Sequence, residues 1–181
     1  MPRPSYLSPL TLAVLAGSVL LALQACSPGL NWRDVRPDDT GLVLLLPCKP
    51  DKAQKTVPLG GAPTEMTMLG CDAGGATFAI ASADIGDAGK AAEVLAQWQK
   101  LTLANMKATA GAPVVPLKVV GAAAAPQAVL VKAQGQRADG QPVTGQGAYF
   151  ARGSKVFQAV MYAAKPSAES SETFFSSLKF E

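Results

Sequence analysis

Apolar positions along this chain fall into three regimes. The first is a continuous run over residues 10–23, free of charge. At about 14 residues it has the length of an export signal's apolar segment and falls short of the ~20 that span a bilayer. The second regime consists of short runs that read as strands. Residues 41–47 are apolar between Gly41 and Pro47, the pattern of a buried strand. Residues 54–59 and 64–69 flank Gly60-Gly61-Ala62-Pro63, a turn signal between two strands. After Gly74-Gly75, residues 76–82 alternate, with Phe78 and Ile80 on one face. The third regime is helical. Over residues 88–108, Ala91, Val94, Leu95, Trp98, Leu101 and Asn105 recur at helical spacing. Asp87 can cap this helix, and Gly111 and Pro113 end it.

Residues 109–127 are rich in Ala, Pro and Gly and read as a loop holding one short strand. Three strands follow at 128–136, 143–152 and 155–163, joined by Ala138-Asp139-Gly140-Gln141 and by Gly153-Ser154. Lys165-Pro166-Ser167 opens a short helix with Ser167 as cap and Phe174 and Phe175 inward, and residues 178–180 form a last strand. The order predicts an α+β fold, an antiparallel sheet packed by one long and one short helix. The expected core anchors are Phe78, Trp98, Tyr149, Phe150, Phe157, Tyr162, Phe174, Phe175 and Phe180. Three regions are predicted: a leader over 1–25, a lipidated N-terminus and tether over 26–40, and a single domain over 41–181.

The leader assignment rests on how the apolar run ends. Leu23-Gln24-Ala25-Cys26 resembles the lipobox of bacterial lipoproteins: a leucine three before the cysteine, a small residue just before it, then the cysteine. That resemblance implies cleavage before Cys26, acylation of its thiol, and a domain held on the periplasmic side of a bacterial membrane. Two or three acyl chains, at ~0.8 kcal/mol per buried methylene, hold a protein stably. Ser27 rather than aspartate follows the cysteine, which in enteric lipoprotein sorting implies the outer membrane over the inner. Residues 27–41 are polar with two prolines and two glycines, as a tether would be. Leu30 and Trp32 are unusual there; packing on the domain edge is the first reading and a partner contact the second.

Composition narrows the chemistry. The chain has no histidine, which removes the commonest general base and the usual zinc sites. The net charge of +3 is spread thinly, so there is no nucleic-acid footprint and no polybasic grip on lipid. With Cys26 acylated, Cys48 and Cys71 remain. In an oxidising compartment they suggest a structural disulfide; two buried thiols are the alternative, and the C-x-x-C spacing of redox pairs is missing. Ser176-Ser177-Leu178-Lys179 fits S-x-x-K, but S-D-N and K-T-G are missing. Asp72, Asp84 and Asp87 could in principle gather around calcium, although helix capping accounts for Asp87. The glycines at 60–61, 70, 74–75 and 145–147 form no phosphate loop. No catalytic, cofactor-binding or metal residue is therefore assigned, and no cofactor is expected.

Leu46-Pro47-Cys48-Lys49-Pro50 opening the domain, a mid-chain helix, a β-meander and a closing Phe174-Phe175-Ser176-Ser177-Leu178 resemble the PsbP/Mog-like α/β/α sandwich. Many of its members open on "F-x-V-x-x-P-x-x-P" and close on "F-F-x-S-F". As a whole the chain looks like the small envelope lipoproteins of proteobacteria. The resemblance implies a non-enzymatic accessory module that binds or stabilises a protein assembly, and it brings no shared active site. Binding of a small apolar ligand or lipid in a cleft between sheet and helix is the alternative. An enzyme working with carboxylates alone is a distant third.

Overall fold

The structure is a computed structural model that describes residues 29–108 and 112–181. Seven strands make one antiparallel sheet: β3 (Asp51–Leu59), β4 (Ala62–Ala73), β5 (Ala76–Asp84), β6 (Val114–Pro116), β7 (Val129–Gln136), β8 (Pro142–Arg152) and β9 (Lys155–Ala163). Their order is β3-β4-β5-β9-β8-β7-β6. A second antiparallel sheet has β2 (Leu42–Leu46) between β1 (Arg33–Val35) and β10 (Lys179–Phe180). One long helix, α1 (Ala91–Asn105), and one short helix, α2 (Ala168–Ser176), complete an α+β fold.

Two tight turns set the register of the first hairpins. Gly60 and Gly61 have φ of 66° and 82°, and Gly74 and Gly75 have 57° and 74°. Two successive positive φ values match the right-handed twist of the flanking strands, and glycine adopts them without a Cβ penalty. The β4–β5 register that follows puts Cys71 opposite Phe78 and Gly70 opposite Ala79.

Residues facing each other across the ladders share a face, so the large sheet sorts its side chains into two cores. One face carries Phe78, Ile80, Phe150, Phe157 and Met161 and is closed by α2 and the small sheet. Its aromatic rings fall into two groups. Phe150 stacks on Phe157 at 5.2 Å, with the Phe180 ring set edge-on to both. Phe174 meets Phe78 edge-on at 5.4 Å. The opposite face carries Ala81, Ala83, Tyr149, Ala151 and Val156, and α1 closes it with Ala91, Val94, Leu95 and Trp98. Burying a side chain such as Phe174 contributes about 1.5–3 kcal/mol, which makes these two layers the main source of stability.

The structure departs from the sequence expectation in several places. Residues 30–40, assigned to a tether, are built into the domain. The Asn31 N–H donates to the Pro47 carbonyl (2.7 Å), Trp32 packs edge-on against Phe78 at 5.8 Å, and β1 pairs with β2. Helix α1 stops at Asn105 instead of 108, because Lys107 takes a left-handed conformation (φ 48°). The Met106 carbonyl is then free to accept from Gln136 N–H (2.7 Å). Leu101 is 47 % exposed, and Thr102 takes the inward position beside it.

Candidate functional site

Cys26 lies outside the described residues. Cys48 and Cys71 are bonded to each other, with Cα atoms 6.0 Å apart, and tie the exit of β2 onto β4. Leu30 and Trp32 are half-buried against the domain; the Leu30 side chain lies over Gly74.

The other singled-out residues do not converge. Ser176 is exposed, and Lys179 pairs with Glu181 at 3.1 Å. Ser177 Oγ donates to the Phe174 carbonyl (2.7 Å) and accepts from the Leu45 N–H (2.9 Å), so this hydroxyl fastens α2 to β2. Asp72 accepts from the Thr77 hydroxyl on the neighbouring strand. Asp84 accepts from Gly86 N–H (3.0 Å). That bond, with one from Ser154, holds its carboxyl below the usual range. Asp87 accepts from Gly89 N–H (2.8 Å) in the short 3-10 turn before α1, as a cap. Among the described residues no three His, Cys, Asp or Glu side chains gather around a common point.

The structure instead places a cleft where sequence analysis assigned no site. It measures about 480 Å³ and lies between the C-terminal half of α1 and the sheet. Thr102, Asn105 and Met106 line it from the helix side, Thr77, Gln158 and Tyr162 from the strands, and Gln136, Arg137 and Val143 from the β7–β8 end. Trp98 stands at its inner end.

Glycines beneath the helix set how closely its end approaches the sheet. A Cβ on Gly135 would lie 2.2 Å from the Met106 carbonyl oxygen, and one on Gly145 would lie 2.5 Å from Met106 Cε. Only glycine lets the last turn of α1 settle on β7 and β8. The helix end is thus held over the sheet while the neighbouring row, with Thr77 and Tyr162, stays accessible.

The polar groups are tied into one network. Gln158 Nε2 donates to Thr102 Oγ1 (2.7 Å) and to the Tyr149 hydroxyl (3.0 Å), and Thr102 Oγ1 donates to the Trp98 carbonyl (3.0 Å). Burial, and secondarily the neighbouring Tyr149, push the Tyr162 phenol up to about 12. Burial also raises the Tyr149 phenol. Tyr162 therefore stays protonated at neutral pH, a neutral hydrogen-bonding group in a lining that also includes Arg137. The arrangement is suited to holding a molecule by hydrogen bonds against an apolar wall of Trp98, Met106 and Val143.

The signal for this site is Gln158, a lone amide inside a strand buried on both faces, together with the glycines of β7 and β8. A second hollow of about 450 Å³ lies by the disulfide, lined by Cys48, Asp51, Met68, Gly70, Thr77 and Ala79 among others. Thr77 lines both, so the sheet face beyond α1 is a shallow trough leading into the cleft.

Two solved structures resemble the chain at low identity. A Bacteroides thetaiotaomicron protein aligns with a TM-score of 0.49 and 14% identity, over 82% of this chain and 48% of its own. The chain thus spans about half the length of that protein. A Pseudomonas aeruginosa protein of unknown function aligns with a TM-score of 0.35 and 17% identity, over 73% of this chain and 82% of its own. No residue role comes from either. The sequence matches no protein-family profile and no curated protein.

Proposed function

We propose that the protein is a lipoprotein anchored through Cys26 on the periplasmic side of a bacterial membrane, the outer rather than the inner, where its domain serves as a non-enzymatic accessory module for an envelope protein assembly. Leu23-Gln24-Ala25-Cys26 after an apolar run supports the anchor. The observation that carries the accessory role is an exposed apolar edge. Val114 and Val115 of β6, an edge strand of three residues, are 51% and 45% exposed, and Val120, which bridges to Lys179 of β10, is 57% exposed. A short apolar edge with a free ladder side suits a partner that adds a strand or covers the valines. In the same reading the layering of helix, large sheet, and small sheet with helix supports a PsbP/Mog-like sandwich.

The test is in-cell crosslinking of a C-terminally tagged chain followed by mass spectrometry, beside a Cys26→Ala control. A specific envelope protein, captured from the native chain and lost with the anchor or with Val115→Lys, is the expected result. Purification alone and membrane-bound, with no captured partner, would overturn the accessory role.

A second reading has its own observation. The cleft beside α1 joins an apolar wall to a pre-ordered amide and hydroxyl network, which favours a small amphipathic ligand. Native mass spectrometry of protein taken gently from membranes tests it. A retained adduct lost in Asn105→Trp, an exposed lining position whose new ring would occupy the cleft, is the expected result.

A further inference from the structure

The contacts of residues 30–35 fix more than a domain boundary. Leu30 lies over the β4–β5 turn at Gly74, Asn31 is bonded to Pro47, and Trp32 is seated on Phe78. The disulfide clamps the same corner, since Cys48 follows Pro47 and Cys71 lies just before the turn. The chain therefore leaves the fold at one known place, with no free spacer from Leu30 onward. Only Ser27 and Pro28 stand between Cys26 and Gly29. Three Cα–Cα steps of 3.8 Å limit the separation between Cys26 and Gly29 to about 11 Å.

That exit lies at one end of the large sheet. Ala76 pairs with Ala163, Ala163 with Thr144 and Gly135 with Val143, so the β4–β5 turn, the end of β9 and the β7–β8 turn lie at the same end. The opposite end holds the β3–β4 turn and Asp84 opposite Lys155. With β4 twelve residues long, the two ends are about 40 Å apart. The cleft opens at the near end, where Gln136, Arg137 and Ala138 form its outer lip.

We propose that the domain stands end-on against the lipid head groups, with the β4–β5 turn, Pro47–Cys48 and the β7–β8 turn facing the bilayer, so that the cleft opens onto the membrane surface. The proposal rests on the lipid-anchor reading above. Its occupant is the head-group layer of the membrane that holds the acyl chains, chosen by the shortness of the connection and not by charge. Cations and carboxylates are mixed at this end, with Lys49, Arg137 and Lys165 among Asp51, Asp72 and Asp139. The orientation is therefore the same on neutral and anionic vesicles. A molecule entering the cleft arrives from the head-group layer.

The test uses the lipidated full chain in phosphatidylcholine vesicles containing some nitroxide-headgroup lipid. A fluorophore is placed on Ala138→Cys at the cleft lip or on Ala62→Cys at the far end, both exposed positions. The Ala138→Cys label is expected to lose most of its emission and the Ala62→Cys label to keep nearly all of it. Inserting a Gly/Ser segment of about twenty residues after Pro28, with an r.m.s. span of about 25 Å, should erase the difference. Equal quenching at both ends in vesicle-bound, uninserted protein overturns the orientation and leaves the anchor intact. Failure of the chain to float with vesicles, or equal flotation of Cys26→Ala, overturns the anchor reading and this proposal with it.

Discussion

Replacing Cys48 and Cys71 together by alanine isolates what the disulfide contributes. The two residues are 23 apart in sequence, and the bond joins segments that already pack together through the β2 exit and β4. In the chain-entropy account, closing a loop of that length removes about 11 cal/mol/K from the unfolded ensemble, or about 3.4 kcal/mol at 25 °C. This is a large fraction of the 5–15 kcal/mol typical of a domain. With m near 2 kcal/mol/M, the urea midpoint should fall by about 1.7 M. Freed of its cross-link, the unfolded chain exposes more surface, so m should rise slightly. Trp32 beside Phe78 and Trp98 on α1 report from opposite faces of the sheet, and fluorescence should show both cores unfolding in one transition. A midpoint shift below about 0.5 M at constant m would show that the loop is already restricted when unfolded, and would refute the entropic reasoning.

Other perturbations test the cores and the cleft. Gly135→Ala puts a methyl 2.2 Å from the Met106 carbonyl oxygen and should cost about 1–3 kcal/mol, read as a lower thermal midpoint. Phe174→Ala empties a fully buried site between Phe78 and Phe175 and should cost about 3–5 kcal/mol by urea denaturation. Gln158→Leu deprives Thr102 and Tyr149 of a shared donor, with an expected loss of about 1–3 kcal/mol; unchanged stability would mean the network is idle. Tyr162 titrates near 12 when folded against about 10 when unfolded, so folding favours its protonated form. Its contribution is complete below pH 10 and is lost as pH rises through 12, at most about 3 kcal/mol. Phenolate absorbance and stability in Tyr162→Phe should both show the difference, and an ordinary titration near 10 would contradict the burial.

The features legible in the sequence were those set by neighbours in the chain. Residues 41–47, the paired glycines at 60–61 and 74–75, Gly140 in its hairpin and the Asp87 cap are all local, and each is found where its chemistry places it. Features decided across the fold were not legible. Strands β8 and β9 are buried on both faces, which erases the alternation that would have told one face from the other. Strand β1 sits in a polar, proline-bearing stretch, and only Leu30 and Trp32 hinted that it packs. Leu101 and Thr102 are one residue apart on α1; the helix turned its hydroxyl inward because Gln158 waits there to be bonded. A cleft between sheet and helix was offered only as an alternative and without residues, since nothing local announces that the end of α1 settles over Gly135 and Gly145.

Strand β2 takes β1 on one side and β10 on the other, and the Ser177 hydroxyl bonds Leu45 from 132 residues away. The small sheet is therefore a clasp whose two halves come from opposite ends of the described fold. Until Leu178 and Phe180 arrive, the face bearing Phe150 and Phe157 has no lid, and the first core stays open to water. A chain of this topology cannot close its first core until segments 132 residues apart have met.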